Sequence, residues 1–201
     1  MMNIRNLKSI FFLCLLMGIT VLSCKKDDVD ENKEIVGCTD PAADNYNASA
    51  NKDNGSCAYQ NRFVSQYNIN VACDQSSALF SDAVLEIKPG ISKNQIGFYI
   101  TSSSTNIQFF GKVISKDSVV VDTLIPDFKA DLKNIVPLAT ESKIIKVDLG
   151  IKSRFGLSKD IKAMEGPMKL KLISKDTIEY HGLKIPPITL DDNCNLKATK
   201  K

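Results

Sequence analysis

The 201-residue chain contains no tryptophan and a single histidine, His181. One imidazole cannot build a two-histidine metal face, and no GxSxG elbow or phosphate-cradling glycine loop accompanies it. The glutamates Glu86, Glu141, Glu165 and Glu179 are scattered, so spacing nominates no paired acid and nucleophile. His181 itself ends an expected strand in Tyr180-His181-Gly182, the ordinary place of a solvent-facing turn residue. There is no CxxC spacing to hold zinc. No stretch beyond residue 21 is apolar for long enough to cross a bilayer as a helix. The pattern points away from an enzyme, and no cofactor is expected.

What is present begins with the first 23 residues. Arg5 and Lys8 precede an apolar run from Ile10 to Val21, the charged and greasy regions of a secretory signal. Val21-Leu22-Ser23-Cys24 then resembles the lipobox of bacterial lipoproteins. That resemblance implies that a diacylglycerol is linked to Cys24, which becomes the first residue of the mature chain. The expected partner is thus a membrane, reached through acyl chains that gain about 0.8 kcal/mol per buried methylene. Lys26-Asp27-Asp28 resembles the export signal of Bacteroidetes surface lipoproteins and implies an outer-membrane, cell-surface location. Residues 24–36 are mostly charged and read as a flexible tether.

Without residues 1–23 the chain keeps 24 basic and 23 acidic residues, a net charge of +1. Near-neutrality gives no electrostatic case for nucleic acid. A protein, a glycan or a small molecule remain as partners.

With Cys14 in the signal and Cys24 on the lipid, four cysteines are left: Cys38, Cys57, Cys73 and Cys194. An even count in an exported chain argues for two disulfides. Three pairings exist. Cys38 with Cys57 would bracket a turn-rich segment, and Cys73 with Cys194 would tie the first long strand to the last, but sequence does not choose among them.

Residues 37–59, GCTDPAADNYNASANKDNGSCAY, hold too little apolar surface for a core and so need a covalent staple. The segment resembles a cysteine-bracketed GCTD…DGSC module of secreted and surface Bacteroidetes proteins. Its oxygens raise calcium binding, with Asp40, Asn45 and Asp53 as candidate ligands, although the spacing is not that of an EF-hand. Asp and Asn also cap turns through their own side chains, which explains them without a metal.

Residues 62–201 change to short β-type runs: 63–71, 83–88, 95–101, 106–114, 119–124, 142–149, 168–173, 177–183 and 194–199. The spacing predicts a mainly β domain, an antiparallel meander closing into a barrel or sandwich. Two Ser-Lys-Asp segments, at 115–117 and 174–176, read as hairpin tips. Phe128, Leu132, Ile135 and Val136 suggest a short helix face within 127–138, and 150–166 reads as a loop. The order of pieces resembles lipocalin-like or calycin-like lipoproteins, which implies a carrier of a small apolar ligand as the alternative to a binding or structural role. The chain lacks the Gly-x-Trp signature of lipocalins. Ser118, Thr123 and Thr177 each follow an aspartate and precede an aliphatic residue, resembling the O-glycosylation acceptors of Bacteroidetes. Of Phe109 and Phe110, adjacent in a strand, one must face outward, where it could meet a sugar ring.

Overall fold

The computed structural model describes residues 33–103, 105–136 and 139–201. Cys24 and the Lys26-Asp27-Asp28 signal lie outside the described residues. Residues 35–201 form one compact unit. Two short strands open it, β1 (Val36–Gly37) and β2 (Lys52–Asp53), followed by the single turn of helix α1 (Gln60–Phe63). Eight strands then close a barrel: β3 (Ser65–Cys73), β4 (Val84–Pro89), β5 (Gln95–Thr101), β6 (Asn106–Ser115), β7 (Ser118–Asp131), β8 (Ile144–Leu157), β9 (Ala163–Ser174) and β12 (Thr189–Lys200). Each strand runs antiparallel to its neighbours in chain order, and β12 returns to pair with β3. A small hairpin, β10 (Ile178–Tyr180) with β11 (Leu183–Ile185), stands apart from the barrel sheet between β9 and β12.

The alternation of side chains decides which face is core. Along β6, Ile107, Phe109, Gly111 and Val113 are buried while Gln108, Phe110, Lys112 and Ile114 are exposed. Along β8, Ile145, Val147, Leu149, Ile151, Phe155 and Leu157 are buried in the same phase. The interior is filled. Phe98 stacks on Phe109 with ring centroids 4.9 Å apart and lies 6.0 Å from Phe155. Gly111 makes the space: a Cβ there would stand 2.8 Å from the Phe98 ring and 3.0 Å from Val119. The outer face carries Lys88, Lys152, Arg154, Lys169 and Lys171, all exposed. An apolar inside and a charged outside invert the pattern of a membrane-spanning barrel.

Both ends are closed. At one, α1 drives Phe63 fully into the core, and the Tyr67 hydroxyl donates to the Phe63 carbonyl at 2.7 Å. At the other, the 3-10 turns Ser77–Phe80 and Leu132–Asn134 cover the opening with Leu79, Phe80 and Leu132. Beneath the first of these turns the buried Asp192 accepts hydrogen bonds from the Ser76 hydroxyl at 2.6 Å and the Ser76 amide at 2.7 Å. The barrel seam is pinned covalently, because Cys73 and Cys194 are register partners and form a disulfide.

Several expectations are corrected. Of the stretch at 127–138, the described residues 127–136 form no helix face. Pro126 sits at a β-bulge between Ile125 and Phe128, beside Asp127 at φ 52°, and β7 continues with Phe128 and Ala130 buried. Proline, which has no N–H to give the ladder, is tolerated at such an irregularity. Among the described residues of the stretch only Leu132–Asn134 is helical, as one 3-10 turn. Residues 150–166 are mostly strand, and only 158–162 form the turn between β8 and β9. The Lys116-Asp117 hairpin forms, with Ser115 opposite Ser118. The second does not, since β9 pairs with β8 and β12. The run at 177–183 folds back on itself instead, through His181 and Gly182 at φ 50° and 77°.

Replacing Cys73 and Cys194 together with alanine removes a 121-residue cross-link and lowers unfolding stability by roughly 4 kcal/mol in denaturant titration. Replacing Cys38 and Cys57 instead raises amide exchange in residues 37–59 and leaves the barrel transition nearly in place. For pH, the Asp131 carboxylate accepts from the Ser142 hydroxyl at 2.5 Å and from the amides of Lys133 and Lys143 at 3.1 and 3.0 Å. The Ser142 bond foremost, then these amides, hold its pKa below the ordinary value despite burial. A depressed folded pKa adds stability that is present above the unfolded pKa near about 4 and lost as pH falls through the folded one. The denaturation midpoint therefore falls on acidification, and Asp131→Asn flattens that acid limb.

Candidate functional site

The first part of the site is the stapled module. Cys38 and Cys57 form a disulfide with Cα atoms 4.9 Å apart, and β1 pairs with β2 in parallel. The polar side chains cap backbone amides. Asp40 Oδ1 accepts from Ala42 N at 2.9 Å, Asn47 Oδ1 from Ser49 N at 3.0 Å, and Asn54 Oδ1 from Ser56 N at 3.0 Å. Asn45 Oδ1 takes Ala58 N at 2.8 Å while its Nδ2 donates to Ser56 O at 2.8 Å. Asp53 Oδ1 accepts from Gly55 N at 3.2 Å. The calcium candidates Asp40, Asn45 and Asp53 thus each hold a turn.

The module packs onto the barrel end formed by the β4–β5 and β6–β7 connections. Gln60 Nε2 donates to the carbonyls of Ser92 at 2.7 Å and Gln95 at 2.5 Å. Arg62 grips the other hairpin, Nε to Lys116 O at 2.8 Å and Nη2 to Asp117 Oδ1 at 2.9 Å. Asp40 receives the Tyr59 hydroxyl on Oδ2 at 3.0 Å, with the Lys116 ammonium 3.7 Å away. The Ala42 amide foremost, then Tyr59, lower the Asp40 pKa, so it remains ionised. A polar groove of about 470 Å³ runs along this junction, lined by Asp40, Asp53, Tyr59, Asn94, Ile114 and Lys116 among others.

A second groove, of about 500 Å³, continues onto the outer face of β5, β6 and β7 and shares Asn94 and Ile114 with the first. Phe110 and Lys112 project into it from β6, Val120 and Asp122 from β7. The paired residue across from Phe110 is Gly97. A Cβ at Gly97 would stand 2.9 Å from the Tyr99 ring and 3.4 Å from the Phe110 ring, so both rings cover the place where a side chain would rise. The Lys88 ammonium lies over Tyr99, 4.9 Å from its centroid, whereas Phe110 is 42% exposed. Of the two adjacent phenylalanines, then, Phe109 is core and Phe110 is surface.

Other residues nominated by sequence are placed as follows. His181 is exposed and faces one carboxylate, Glu141, at 3.6 Å, with the Tyr180 ring edge-on at 4.3 Å. Glu86 lies elsewhere, on β4, paired with Lys88 at 2.8 Å. Ser118 is half-buried at the start of β7 and accepts from Arg154 Nε at 3.4 Å. Thr123 is half-buried in the phase of the inward Val119 and Val121, whereas Thr177 is exposed between β9 and β10. The one metal-like grouping found among the described residues is Cys73, Cys194 and Asp192, and both its thiols are spent in the disulfide. Asp192 was not anticipated. Its signal lay in the inward phase it shares with Cys194, Leu196 and Ala198, in a strand that starts five residues earlier than expected.

No family model, curated protein or solved structure matches this chain. Its class is set by the fold alone: a filled, closed, eight-stranded up-and-down β-barrel that carries a disulfide-stapled module. Among the described residues, the external groove at the module end combines an open aromatic ring with polar rims. Gly97→Val tests how the ring is seated. Valine at this position displaces Tyr99 and Phe110 and destabilises the barrel by about 1 to 3 kcal/mol in denaturant titration.

Proposed function

We propose that this protein is a lipid-anchored binding protein of the bacterial outer membrane, exposed at the cell surface and without enzymatic activity, that engages its partner from outside the barrel. The observation that carries the outside reading is the filled interior. Tyr67, Phe63, Phe98, Phe155, Leu85 and Ile100 leave at most 1% of their surface accessible, and both ends are plugged. A carrier lumen, by contrast, holds a ligand cavity walled by partly accessible side chains. The anchor reading is supported by the Val21-Leu22-Ser23-Cys24 segment, and the surface reading by Lys26-Asp27-Asp28 behind it. A charged barrel exterior leaves acyl chains as the means of membrane attachment.

Two measurements test the two halves separately. Metabolic labelling with an alkyne fatty acid marks the protein, and Cys24→Ser abolishes the label and releases the chain from the envelope. An unlabelled protein that stays with the membrane after Cys24→Ser refutes the anchor. Protease added to intact cells degrades the protein, and replacing Lys26, Asp27 and Asp28 with alanine protects it. For the interior, titration with the fluorescent fatty acid cis-parinaric acid gives no saturable signal. Stoichiometric binding that competes with unlabelled fatty acid would establish the carrier instead.

A further inference from the structure

The groove at the module end combines two chemistries that a single ligand class satisfies. Phe110 offers an open ring face over Gly97, in a barrel whose other large rings are buried or, like Tyr99, already covered by an ammonium. Around it stand polar groups with no partner among the described residues. The side-chain amide of Asn94 and the ammonium of Lys112 make no hydrogen bond, and Gln95 uses only Oε1, which accepts the Ile91 amide at 3.2 Å. Asn94 lines both grooves.

The rim rules out the alternatives by charge and solvation. A wholly apolar ligand would strip water from the Asn94, Gln95 and Lys112 donors and give nothing back. A polyanion would meet three carboxylates, Asp40, Asp53 and Asp122, against the two ammonium groups of Lys112 and Lys116, so the lining offers it no net positive charge. A ligand with an apolar C–H face and a rim of hydroxyls, each a donor and an acceptor, matches both ring and amides. Each groove segment is of a size usual for small-molecule sites. We propose that the continuous groove from Phe110 to Tyr59 binds a neutral oligosaccharide, with Phe110 as its stacking platform and Asn94, Gln95 and Lys112 as its hydroxyl contacts. The proposal rests on the external-recognition reading and names its ligand class.

The test is an NMR titration of the ¹⁵N-labelled mature chain with maltohexaose, cellohexaose, xylohexaose and mannohexaose. A hyaluronan hexasaccharide and a tryptic peptide pool serve as the charged and the polypeptide comparisons. At least one neutral sugar shifts the amides of Gln95, Gly97, Gly111 and Lys112 saturably. Phe110→Ala weakens its binding about tenfold, and Phe110→Leu, which keeps apolar bulk without a ring face, weakens it similarly at an unchanged melting temperature. Leu124→Ala, an exposed apolar change on β7 outside the groove, leaves binding as it was. The proposal is overturned if none of the four sugars shifts these amides, if hyaluronan or peptides shift them instead, or if both Phe110 variants bind normally. Since the external reading is tested on the barrel interior with a fatty acid, a failed sugar titration leaves that reading standing.

Discussion

The pairing of β12 with β3 is the interaction on which the rest of the structure depends. Six of the eight barrel contacts join strands that follow one another directly in the chain, and a seventh, β9 with β12, skips only the small hairpin. The eighth must bring Cys73 and Cys194 together across 121 residues, and it turns an open curved sheet into a closed wall. An open sheet would leave two edges of unpaired N–H and C=O groups. Closure removes both, and the disulfide offsets the loop entropy that so distant a contact costs. Asp192 adds to the same seam, two residues before Cys194, by anchoring the turn that caps the barrel.

Closure around large side chains has a functional consequence. Phe98 packs on Phe109, Phe155 and Gly111, and the space a lipocalin-like lumen would need is taken by rings and branched aliphatics. On the proposed reading specificity lies on the outside, where two features stand against the charged background. One is the glycine-seated Phe110, and the other is the module, whose Gln60 and Arg62 clasp two barrel turns. The module therefore does more than precede the barrel: it supplies one wall of the groove and, through Phe63, the plug of one end.

Much of this was legible in the sequence because β structure writes itself with period two. Strand 95–101 was bounded correctly, and 106–114 missed by one residue. Spacing alone implies the antiparallel meander, and a Cys73–Cys194 bridge between the first long strand and the last is one of the three pairings that four cysteines allow. The misses have specific causes. Pro126 borders the expected helix face, but a bulge absorbs a proline, and the inward phase resumes at Phe128. Gly150, Gly156 and Gly166 thinned the β signal over 150–166, although Ile151, Phe155, Leu157 and Met164 kept the core phase. His181-Gly182 did not look like a hairpin turn, yet both residues adopt positive φ. The groove was half legible. That one of Phe109 and Phe110 faces outward is a property of any strand; that it lies opposite a glycine and beside Asn94 is a matter of register, and register is set by turns and closure that no local pattern reports.

Recognition from outside requires a solid barrel, and xenon reports on that directly, since the gas occupies dry apolar voids that water avoids. A crystal of residues 35–201 pressurised with xenon should show no bound atom inside the strand wall. Ordered xenon density among Phe98, Leu149 and Leu170 would reveal a lumen, restore the carrier reading and contradict the claim that recognition is external.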